Sequence, residues 1–343
     1  MNAVFVSRYG GPDVLVIRQA PIPRPKPDEV LVRVKAIGLN FADIVGRWGV
    51  YPGTPKPPFI PGIEFSGDVV AVGLNVRSFV GHERVMGYSR LGSHAEYVAV
   101  SEKFATAIPD SMTYGEGASF LVTGMTALHG LLRLANIRRG ENLLVHAAAG
   151  GVGTATVQLA SHCGATIFAT VGTEKKLTVA RDQGAHYLIN YHTHDFSKWI
   201  RDLTKGYGVD VVMDSVGGRV FQKSWSLLAP MGRYILFGIS SLSGTGRLNP
   251  FRVARAFAAM RPVFPPSLLS SNKGIFGFNL GTLEGKEEYF KEAAEELLRL
   301  HGKGVLKPVI GQVFRFHEII QAHRALQSGQ TIGKVVVTLE QDS

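Results

Sequence analysis

The spacing of apolar and polar positions changes near Leu143 of the 343-residue chain. From that point short apolar runs alternate with stretches of helical spacing, a rhythm that predicts a parallel sheet with helices on both faces. The strands expected in this sheet are Leu143–Ala147, Thr166–Val171, Tyr187–Asn190, Val209–Ser215, Arg233–Gly238 and Gly274–Leu280. Helical spacing is found at Glu174–Gln183, Phe196–Leu203 and Glu287–His301, and a last strand is expected at Gly333–Leu339.

The first 122 residues follow a different pattern, rich in short strand-like runs. Val14–Ile17 and Val30–Val34 are such runs, and the proline-rich segment 21–27 between them predicts an extended connector that cannot join a central sheet. Glycines punctuate the run Gly62–Gly73, which favours a small barrel or a bent sheet with bulges. A helical passage over Glu116–Leu134 is expected to lead into the second domain.

The stretch Leu143–Thr154 joins a predicted strand to a predicted helix through small residues. Gly150 would let a pyrophosphate approach the backbone, Gly153 would let the helix pack closely, and the helix N-terminus would offer free N–H groups. Ala148 stands where the first glycine of the dinucleotide-binding pattern is expected. The stretch therefore predicts a nucleotide site, although a simple tight loop is an open alternative.

The end of the second predicted strand bears on the choice of cofactor. Gly172 stands where NAD-binding proteins carry an acid that holds the adenosine ribose. Thr173 and Lys176 can donate to a 2′-phosphate, and Tyr191 ends the third strand, so the pattern favours NADPH over NADH. The alternatives are a solvated helix lysine for Lys176 and a position at the edge of the core for Tyr191.

Charge and cysteine content narrow the classes of function. The chain carries 37 basic and 27 acidic residues, a net charge of +10, which fits nucleic acid, an acidic membrane surface or an anionic cofactor. The basic residues are scattered, so we favour the anionic cofactor. Cys163 is the single cysteine, which excludes an intrachain disulfide and a zinc cluster built from cysteines. Residues 1–11 show no signal-peptide core, and the cytoplasm is the expected location.

Four motifs together resemble one known family: Gly38-Leu39-Asn40-Phe41-Ala42-Asp43, Pro61-Gly62-Ile63-Glu64-Phe65-Ser66-Gly67, Ala147-Ala148-Ala149-Gly150-Gly151-Val152-Gly153 and Asp214-Ser215-Val216-Gly217-Gly218. The chain resembles the zinc-free, zeta-crystallin-like quinone oxidoreductases of the medium-chain dehydrogenase/reductase superfamily. The stretches 228–232 and 277–281 are most similar to its synaptic-vesicle amine-transport-protein branch.

The resemblance implies an α/β fold, in which a GroES-like β-rich catalytic domain accompanies a doubly wound Rossmann nucleotide-binding domain. The catalytic domain would comprise residues 1–122, completed by 283–343, and the NADPH-binding domain residues 123–282. The strand Gly274–Leu280 would pair edge to edge with a second subunit in a homodimer.

The resemblance also implies a site without metal. Zinc-dependent relatives carry ligands where this chain has Asn40 and Ile63, and an isoleucine side chain cannot bind zinc. The histidines His186, His192 and His194 are interpreted as members of a surface loop, since nothing there fixes a tetrahedral set of ligands.

By the same resemblance, Asn40 and Tyr51 line the substrate cleft and are the catalytic candidates. Tyr51 would hydrogen-bond an enone or quinone oxygen, with water as the proton source. The alternatives are that Tyr51 packs a proline loop and that Asn40 caps a turn. Asp43 is expected to cap the following helix and Glu64 to brace the cleft. The cofactor would be bound by Asn40, Thr126, Gly150, Gly151, Val152, Gly153, Thr173, Lys176, Tyr191, Ser215, Phe237, Gly238, Ile239 and Lys334.

The stretch Ser240–Lys273 mixes basic and aromatic residues, namely Arg247, Arg252, Arg255 and Arg261 with Phe251, Phe257 and Phe264. A lid over the cleft, a subunit contact and a membrane-surface helix all fit this pattern. Because Pro262, Pro265 and Pro266 interrupt it, we favour a lobe that contacts the substrate or the partner subunit.

The expected function is zinc-independent, NADPH-dependent reduction of quinones or α,β-unsaturated carbonyls. One alternative is an enoyl-thioester reductase, whose phosphate-bearing carrier would suit basic residues near the cleft. The other is a non-catalytic NADPH-binding protein with RNA or membrane partners.

Overall fold

Two β-sheets contain most of the strands in the computed structural model, which describes residues 1–242, 249–260, 262–283 and 285–339. The strands are β1 (Asn2–Val6), β2 (Leu15–Gln19), β3 (Glu29–Leu39), β4 (Glu64–Val72), β5 (Arg84–Tyr88), β6 (Tyr97–Ser101), β7 (Ala105–Ala107), β8 (Asn142–His146), β9 (Thr166–Val171), β10 (Tyr187–Asn190), β11 (Val209–Asp214), β12 (Leu228–Leu236), β13 (Gly274–Gly277), β14 (Ile310–Arg315) and β15 (Lys334–Thr338).

The helices are α1 (Phe41–Arg47), α2 (Tyr114–Gly117), α3 (Leu121–Leu128), α4 (Gly151–His162), α5 (Glu174–Asp182), α6 (Phe196–Leu203), α7 (Arg219–Leu227), α8 (Pro250–Ala259), α9 (Pro265–Ser271), α10 (Glu287–Gly302) and α11 (Ile319–Gln327). Short 3₁₀ turns lie at Pro12–Val14, Glu102–Phe104, Ser240–Leu242, Leu280–Thr282 and Phe316–Glu318, and a π-helical turn lies at His129–Leu134.

The parallel sheet has the strand order β10-β9-β8-β11-β12-β13 and helices on both faces, which confirms the predicted doubly wound architecture. Successive residues of β8 point to opposite sides of this sheet. Leu143 and Val145 pack with α3, α4 and α10, whereas Leu144 packs with α6 and α7. Both faces of the strand are therefore buried, which explains why its sequence is a continuous apolar run.

Two strand boundaries in the parallel sheet differ from the prediction by three residues or more, and the others lie within two residues of it. Strand β12 begins at Leu228 rather than Arg233, because Leu228 pairs with Val209 before a register shift restores regular pairing at Arg233. Strand β13 stops at Gly277 rather than Leu280. The chain turns there because the Asn279 side chain accepts the N–H of Gly281 and starts a 3₁₀ turn.

The second sheet has seven strands in the order β14-β15-β3-β4-β5-β7, with β6 also paired to β3. β14 runs parallel to β15, and the remaining pairs are antiparallel. The 11-residue strand β3 is central and sends Val30, Val32 and Val34 into the core. Because β15 lies next to β3, the C-terminal end of the chain completes the N-terminal sheet, as the predicted architecture requires. The exact domain boundaries stay a prediction.

The helical segment that connects the two large sheets begins at Tyr114, two residues before the predicted start. Thr113 and Glu116 form a capping box there, in which each side chain accepts a backbone N–H from the other residue. The proline-rich segment 21–27 contains no strand, as predicted. Within the described ranges, no helix is both long and apolar enough to cross a bilayer.

Candidate functional site

The turn between β8 and α4 has the geometry of a phosphate-binding loop. A Cβ added at Gly153 would lie 2.3 Å from the carbonyl oxygen of Ala147 and 2.7 Å from Cα of Ala148, so only glycine lets α4 pack this close to the turn. Gly150 is the N-cap, and the first N–H groups of α4, on Gly151, Val152 and Gly153, have no partner within the helix. The predicted cofactor-binding glycines thus fit a bound pyrophosphate.

A segment from the C-terminal end of the chain crosses this turn. The N–H of Gly333 donates to the carbonyl of Ala149 at 2.7 Å, and Gly150 and Gly333 form an isolated parallel bridge. Gly333 has a φ of +52°, and a Cβ there would lie 2.0 Å from the carbonyl oxygen of Val309. The crossing joins the parallel sheet to the seven-stranded sheet beside the predicted cofactor site, and the next residue is Lys334.

Lys334 reaches from this crossing into a buried polar cluster. Its Nζ donates to Oε2 of Glu64 at 2.7 Å and to Oδ1 of Asn40 at 2.8 Å. Asn40 in turn donates from Nδ2 to the same Glu64 oxygen at 3.0 Å, and the N–H of Val122 donates to the other Glu64 oxygen at 2.9 Å. The Lys334 and Glu64 side chains are 4% and 0% exposed. Glu64 therefore accepts hydrogen bonds from three donors, one of them on the lysine that we predicted to contact the cofactor, and its role in bracing the cleft stays a prediction.

Asn40 and Asp43 form the N-terminal cap of α1. The Asn40 N–H donates to the Asp43 carboxylate at 2.8 Å, and the Asp43 N–H donates to the backbone carbonyl of Asn40 at 3.0 Å. Burial raises the pKa of Asp43 to about 7, although the Asn40 N–H and the Lys334 ammonium favour the carboxylate. Asp43 is thus a helix cap, as expected, and Asn40 combines capping with a side chain fixed by Glu64 and Lys334.

Tyr51 lies half-buried after α1, and its hydroxyl donates to Oδ1 of Asn279 at 2.8 Å. The same Asn279 oxygen accepts the N–H of Gly281 at 2.9 Å, so Asn279 fixes the position of the phenol. Burial raises the pKa of Tyr51, which keeps its hydroxyl protonated at neutral pH. Sequence reasoning did not assign Asn279 to the site. The only signal was its place in the stretch 277–281, which carries part of the family resemblance.

The ends of β11 and β12 form adjoining loops that contain four predicted cofactor contacts. The N–H of Phe237 donates to the carbonyl of Asp214, and a Cβ on Gly238 would lie 3.0 Å from the carbonyl oxygen of Ser215. The Phe237 ring stacks on Phe278 at 6.1 Å between centroids. Ile239 follows directly, so these residues line the carboxyl edge of the sheet, where ligands of such folds bind.

The remaining nicotinamide contact predicted from the sequence is Thr126, in α3. Its hydroxyl donates to the carbonyl of Val122 at 2.6 Å within the helix. Val122 is the residue whose N–H binds Glu64, so α3 connects Thr126 to the buried cluster. The side chain is half-buried.

The candidate 2′-phosphate site lies at the end of β9. A Cβ at Gly172 would meet the Tyr191 hydroxyl at 2.5 Å, and the Thr173 hydroxyl caps α5 by accepting the N–H of Lys176. The Lys176 ammonium donates to the carbonyl of Gly329 at 2.5 Å, and its side chain is buried rather than solvated. Tyr191 is 49% exposed, so it does not pack at the core edge. Burial lowers the pKa of Lys176.

Metal-ligating side chains do not gather in the ranges that the structure describes: no group of three or more His, Cys, Asp or Glu residues is placed to hold an ion. Of the three loop histidines, His186 accepts the N–H of Ile167 at 3.1 Å, and His194 contacts Thr193. Ile63 is buried beside Glu64.

Within its described residues, the basic stretch contains the helices α8 and α9; Pro262 lies between them, and Pro265 and Pro266 begin α9. Phe251 and Phe264 are 86% and 65% exposed. Arg247 and Arg261 lie outside the described residues, and for Arg252 the backbone alone is described. The role of this stretch stays a prediction.

Comparison with known proteins adds independent information. The family model "Alcohol dehydrogenase GroES-like domain" matches residues 26–110, and "Zinc-binding dehydrogenase" matches residues 151–299. The rat protein named synaptic vesicle membrane protein VAT-1 homolog is 36% identical over 340 residues, covering 98% of this chain and 84% of that protein. The structure of Escherichia coli quinone oxidoreductase complexed with NADPH has a TM-score of 0.87 at 30% identity and covers 99% of this chain and 100% of that one. The structure of CurK enoyl reductase has a TM-score of 0.84 at 30% identity and covers 99% of both chains.

Proposed function

Because the chain belongs to the medium-chain dehydrogenase/reductase superfamily, we propose that it binds NADPH and reduces quinones or α,β-unsaturated carbonyls by hydride transfer without zinc. One observation supports this most directly. The crossing at Gly333 and Lys334 contacts the glycine turn on one side and the Asn40–Glu64 cluster on the other. A dinucleotide on that turn would therefore place its reactive ring beside Asn40.

The residues present fit NADPH. The close packing at Gly153 leaves the turn open to a pyrophosphate, and Gly172 leaves room beneath Tyr191 without adding the negative charge of an acid. Thr173, Lys176 and Tyr191 would hold the 2′-phosphate, with the lysine supplying the positive charge. Asn40, Thr126, Ser215, Phe237, Gly238, Ile239 and Lys334 would line the remaining length of the cofactor.

The chemistry that NADPH supplies when bound is a hydride. Reduction of a conjugated carbonyl builds negative charge on its oxygen, and a hydrogen-bond donor at that point stabilises the charge. The Tyr51 hydroxyl is the donor we propose, with Asn279 as its resting partner and water as the final proton source. Asn40 is held by Lys334 and Glu64, so its amide is fixed before substrate arrives.

Zinc independence rests on the donor set. Asn40 and Ile63 occupy the positions of two ligands in zinc-dependent relatives, and neither side chain is a zinc ligand of the usual kind. In place of a metal, the Lys334 ammonium neutralises Glu64. A strong chelator is therefore expected to leave activity unchanged.

Turnover is tested by following loss of reduced nicotinamide absorbance with quinones, 2-alkenals and enoyl thioesters, with NADPH and NADH in parallel and a chelator present. Tyr51→Phe should lower turnover while the binding of NADPH is retained. If none of these acceptors is reduced, the proposed activity is contradicted. Loss of activity in chelator that zinc restores would contradict zinc independence.

Cofactor choice is tested by binding. Lys176→Ala removes the cation at the proposed 2′-phosphate site, and we expect about tenfold weaker binding of NADPH with little change for NADH. Lys175→Ala is the matched control, because Lys175 is an exposed neighbour on the same helix. An equal loss for both cofactors would remove the role assigned to Lys176.

An enoyl-thioester reductase is the second candidate, supported by the similarity to CurK enoyl reductase over the whole chain. It predicts that enoyl thioesters are reduced more efficiently than free 2-alkenals. A third outcome, tight NADPH binding with no turnover, would favour a non-catalytic NADPH-binding protein with RNA or membrane partners.

We also propose a homodimer that pairs β13 with its copy, because β13 lies at one end of the parallel sheet. Phe276 in this strand is 39% exposed. Light scattering of the wild type and of a Phe276→Lys variant tests this, and a monomeric wild type would contradict it. A cytoplasmic location stays a prediction.

A further inference from the structure

Beneath the site lie four buried polar side chains to which the proposed reaction assigns no role. They are Asp43 and Arg47 of α1, His94 in the loop before β6, and His323 of α11. Arg47, His94 and His323 are 0% exposed and Asp43 is 4% exposed. The cluster begins at the cleft, because the Asp43 carboxylate accepts the backbone N–H of Asn40.

The four side chains contact one another in sequence. Arg47 lies 3.1 Å from Nδ1 of His323, and since a guanidinium only donates, the His323 proton must sit on Nε2. The rings of His323 and His94 meet edge to face with centroids 5.5 Å apart. Nε2 of His94 lies 3.9 Å from Oδ2 of Asp43.

Burial of the His94 ring carries a cost in folding free energy. Among the described residues, neither of its ring nitrogens has a hydrogen-bond partner, and Nε2 of His323 has none either. An unsatisfied buried polar atom costs about 1–3 kcal/mol, which an apolar side chain of similar size would avoid. Simple core packing therefore does not explain a histidine at this position.

The backbone turn at Pro61 and Gly62 packs closely against the His94 ring. Gly62 has a φ of +104°, and a Cβ there would lie 2.3 Å from Cδ2 of His94. The His94 N–H also donates to the carbonyl of Pro61 at 3.0 Å. This turn leads directly to Glu64. His94 therefore packs against both the Asp43 side chain and the segment that carries Glu64.

Several charged groups face Asp43. Lys334 and Arg47 favour its ionised form, Glu64 opposes it, and burial opposes it more strongly. Burial also lowers the pKa of His94 to about 3, so a proton in this pair resides on the carboxyl and not on the imidazole. The charge of Asp43 also raises the pKa of Tyr51 in the cleft.

We propose that Asp43 and His94 act as one proton-sharing unit that positions Asn40, so that proton uptake by this unit makes the proposed reduction depend on pH. The inference rests on the proposed function for its catalytic consequence only. On protonation, Oδ2 of Asp43 gains a hydrogen that is donated to Nε2 of His94, once the two atoms close to hydrogen-bond distance. The carboxyl then accepts the Asn40 N–H more weakly and no longer repels Glu64. On ionisation the Asp43 proton passes to solvent, and the hydrogen bond from the Asn40 N–H to the Asp43 carboxylate strengthens.

Infrared difference spectroscopy of the full chain during a pH titration tests the unit without any substrate. We expect the C=O stretch of a protonated buried carboxyl to disappear near neutral pH in the wild type and to be absent from Asp43→Asn. His94→Gln can donate an amide N–H to the carboxylate and should lower the midpoint by about one pH unit. His94→Phe removes the acceptor of the carboxyl proton and should also lower the midpoint by about one pH unit.

The control is His317→Gln, an exposed histidine, which should leave the midpoint unchanged. A merely structural role for His94 would lower the melting temperature of both His94 variants without moving the midpoint, and that result would overturn the proposal. If His94→Phe does not fold, an unmoved midpoint in His94→Gln is sufficient to overturn it. If turnover is found, its pH profile should shift in His94→Gln by as much as the infrared midpoint. Absence of turnover would contradict the proposed function and leave the infrared test of the unit valid.

Discussion

Replacing Lys334 by methionine should destabilise the protein more than any single surface change. The ammonium makes two short buried bonds, to Glu64 at 2.7 Å and to Asn40 at 2.8 Å, with 4% of its side chain exposed. The substitution keeps most of the side-chain volume but leaves the Glu64 carboxylate in the interior without a cation. Leaving one buried charge of a pair uncompensated costs about 3–5 kcal/mol, so we expect a loss of about 4 kcal/mol in the free energy of unfolding.

The assay is urea unfolding followed by tryptophan fluorescence and far-ultraviolet circular dichroism, with the two signals compared because the two large sheets could unfold separately. The double variant Glu64→Gln, Lys334→Met removes both charges and should regain more than half of the loss. Lys103→Met is the control, because that ammonium pairs with Glu288 at the surface and its removal should leave the midpoint almost unchanged. A loss below about 1 kcal/mol in Lys334→Met, or a double variant no more stable than the single one, would refute this reasoning.

Three further outcomes are expected. Gly172→Asp should weaken NADPH binding by about tenfold relative to NADH in fluorescence titrations, because the carboxylate would face the 2′-phosphate and its Cβ would crowd the Tyr191 hydroxyl, 2.5 Å away. Tyr191→Phe should weaken NADPH binding several-fold and spare NADH, and an equal effect on both would contradict a phosphate contact. Burial lowers the pKa of His94 to about 3 and also lowers the pKa of His129, His146 and His323, so from about pH 6.5 downward the unfolded chain binds more protons at these histidines than the folded chain does. The raised pKa of Asp43 opposes this by one proton between about pH 4 and about pH 7. The free energy of unfolding should therefore fall with decreasing pH in the wild type and fall less steeply in His94→Phe; parallel slopes would contradict the assignment.

The sequence predicted most of the parallel sheet because local signals determine it. Strand β9 spans Thr166–Val171 and β10 spans Tyr187–Asn190, as expected, since each is an apolar run bounded by glycine or polar residues. The start of β12 was missed because Leu228 joins the sheet through a register shift, which depends on its neighbour β11 and not on its own sequence.

The buried contacts of the candidate site could not be predicted in the same way. Lys334 and Glu64 are 270 positions apart, and Tyr51 and Asn279 are 228 apart. Such pairs depend on the pairing of β15 with β3 and on contact between the two large sheets, which no local sequence signal specifies. Residue type and motif suggested that Asn40 and Tyr51 matter, but not which side chains would hold them.

The crossing segment 329–334 limits how the two halves of the molecule can move. The Gly329 carbonyl accepts a hydrogen bond from Lys176, and the Gly333 N–H donates to the carbonyl of Ala149. The side chain of Lys334 donates to Asn40 in the buried cluster. Because these three contacts lie within six residues, the cleft cannot widen at this segment without breaking hydrogen bonds. Opening for cofactor exchange should therefore be a rotation about this segment, which makes it the hinge and places the largest displacements at the opposite rim of the cleft.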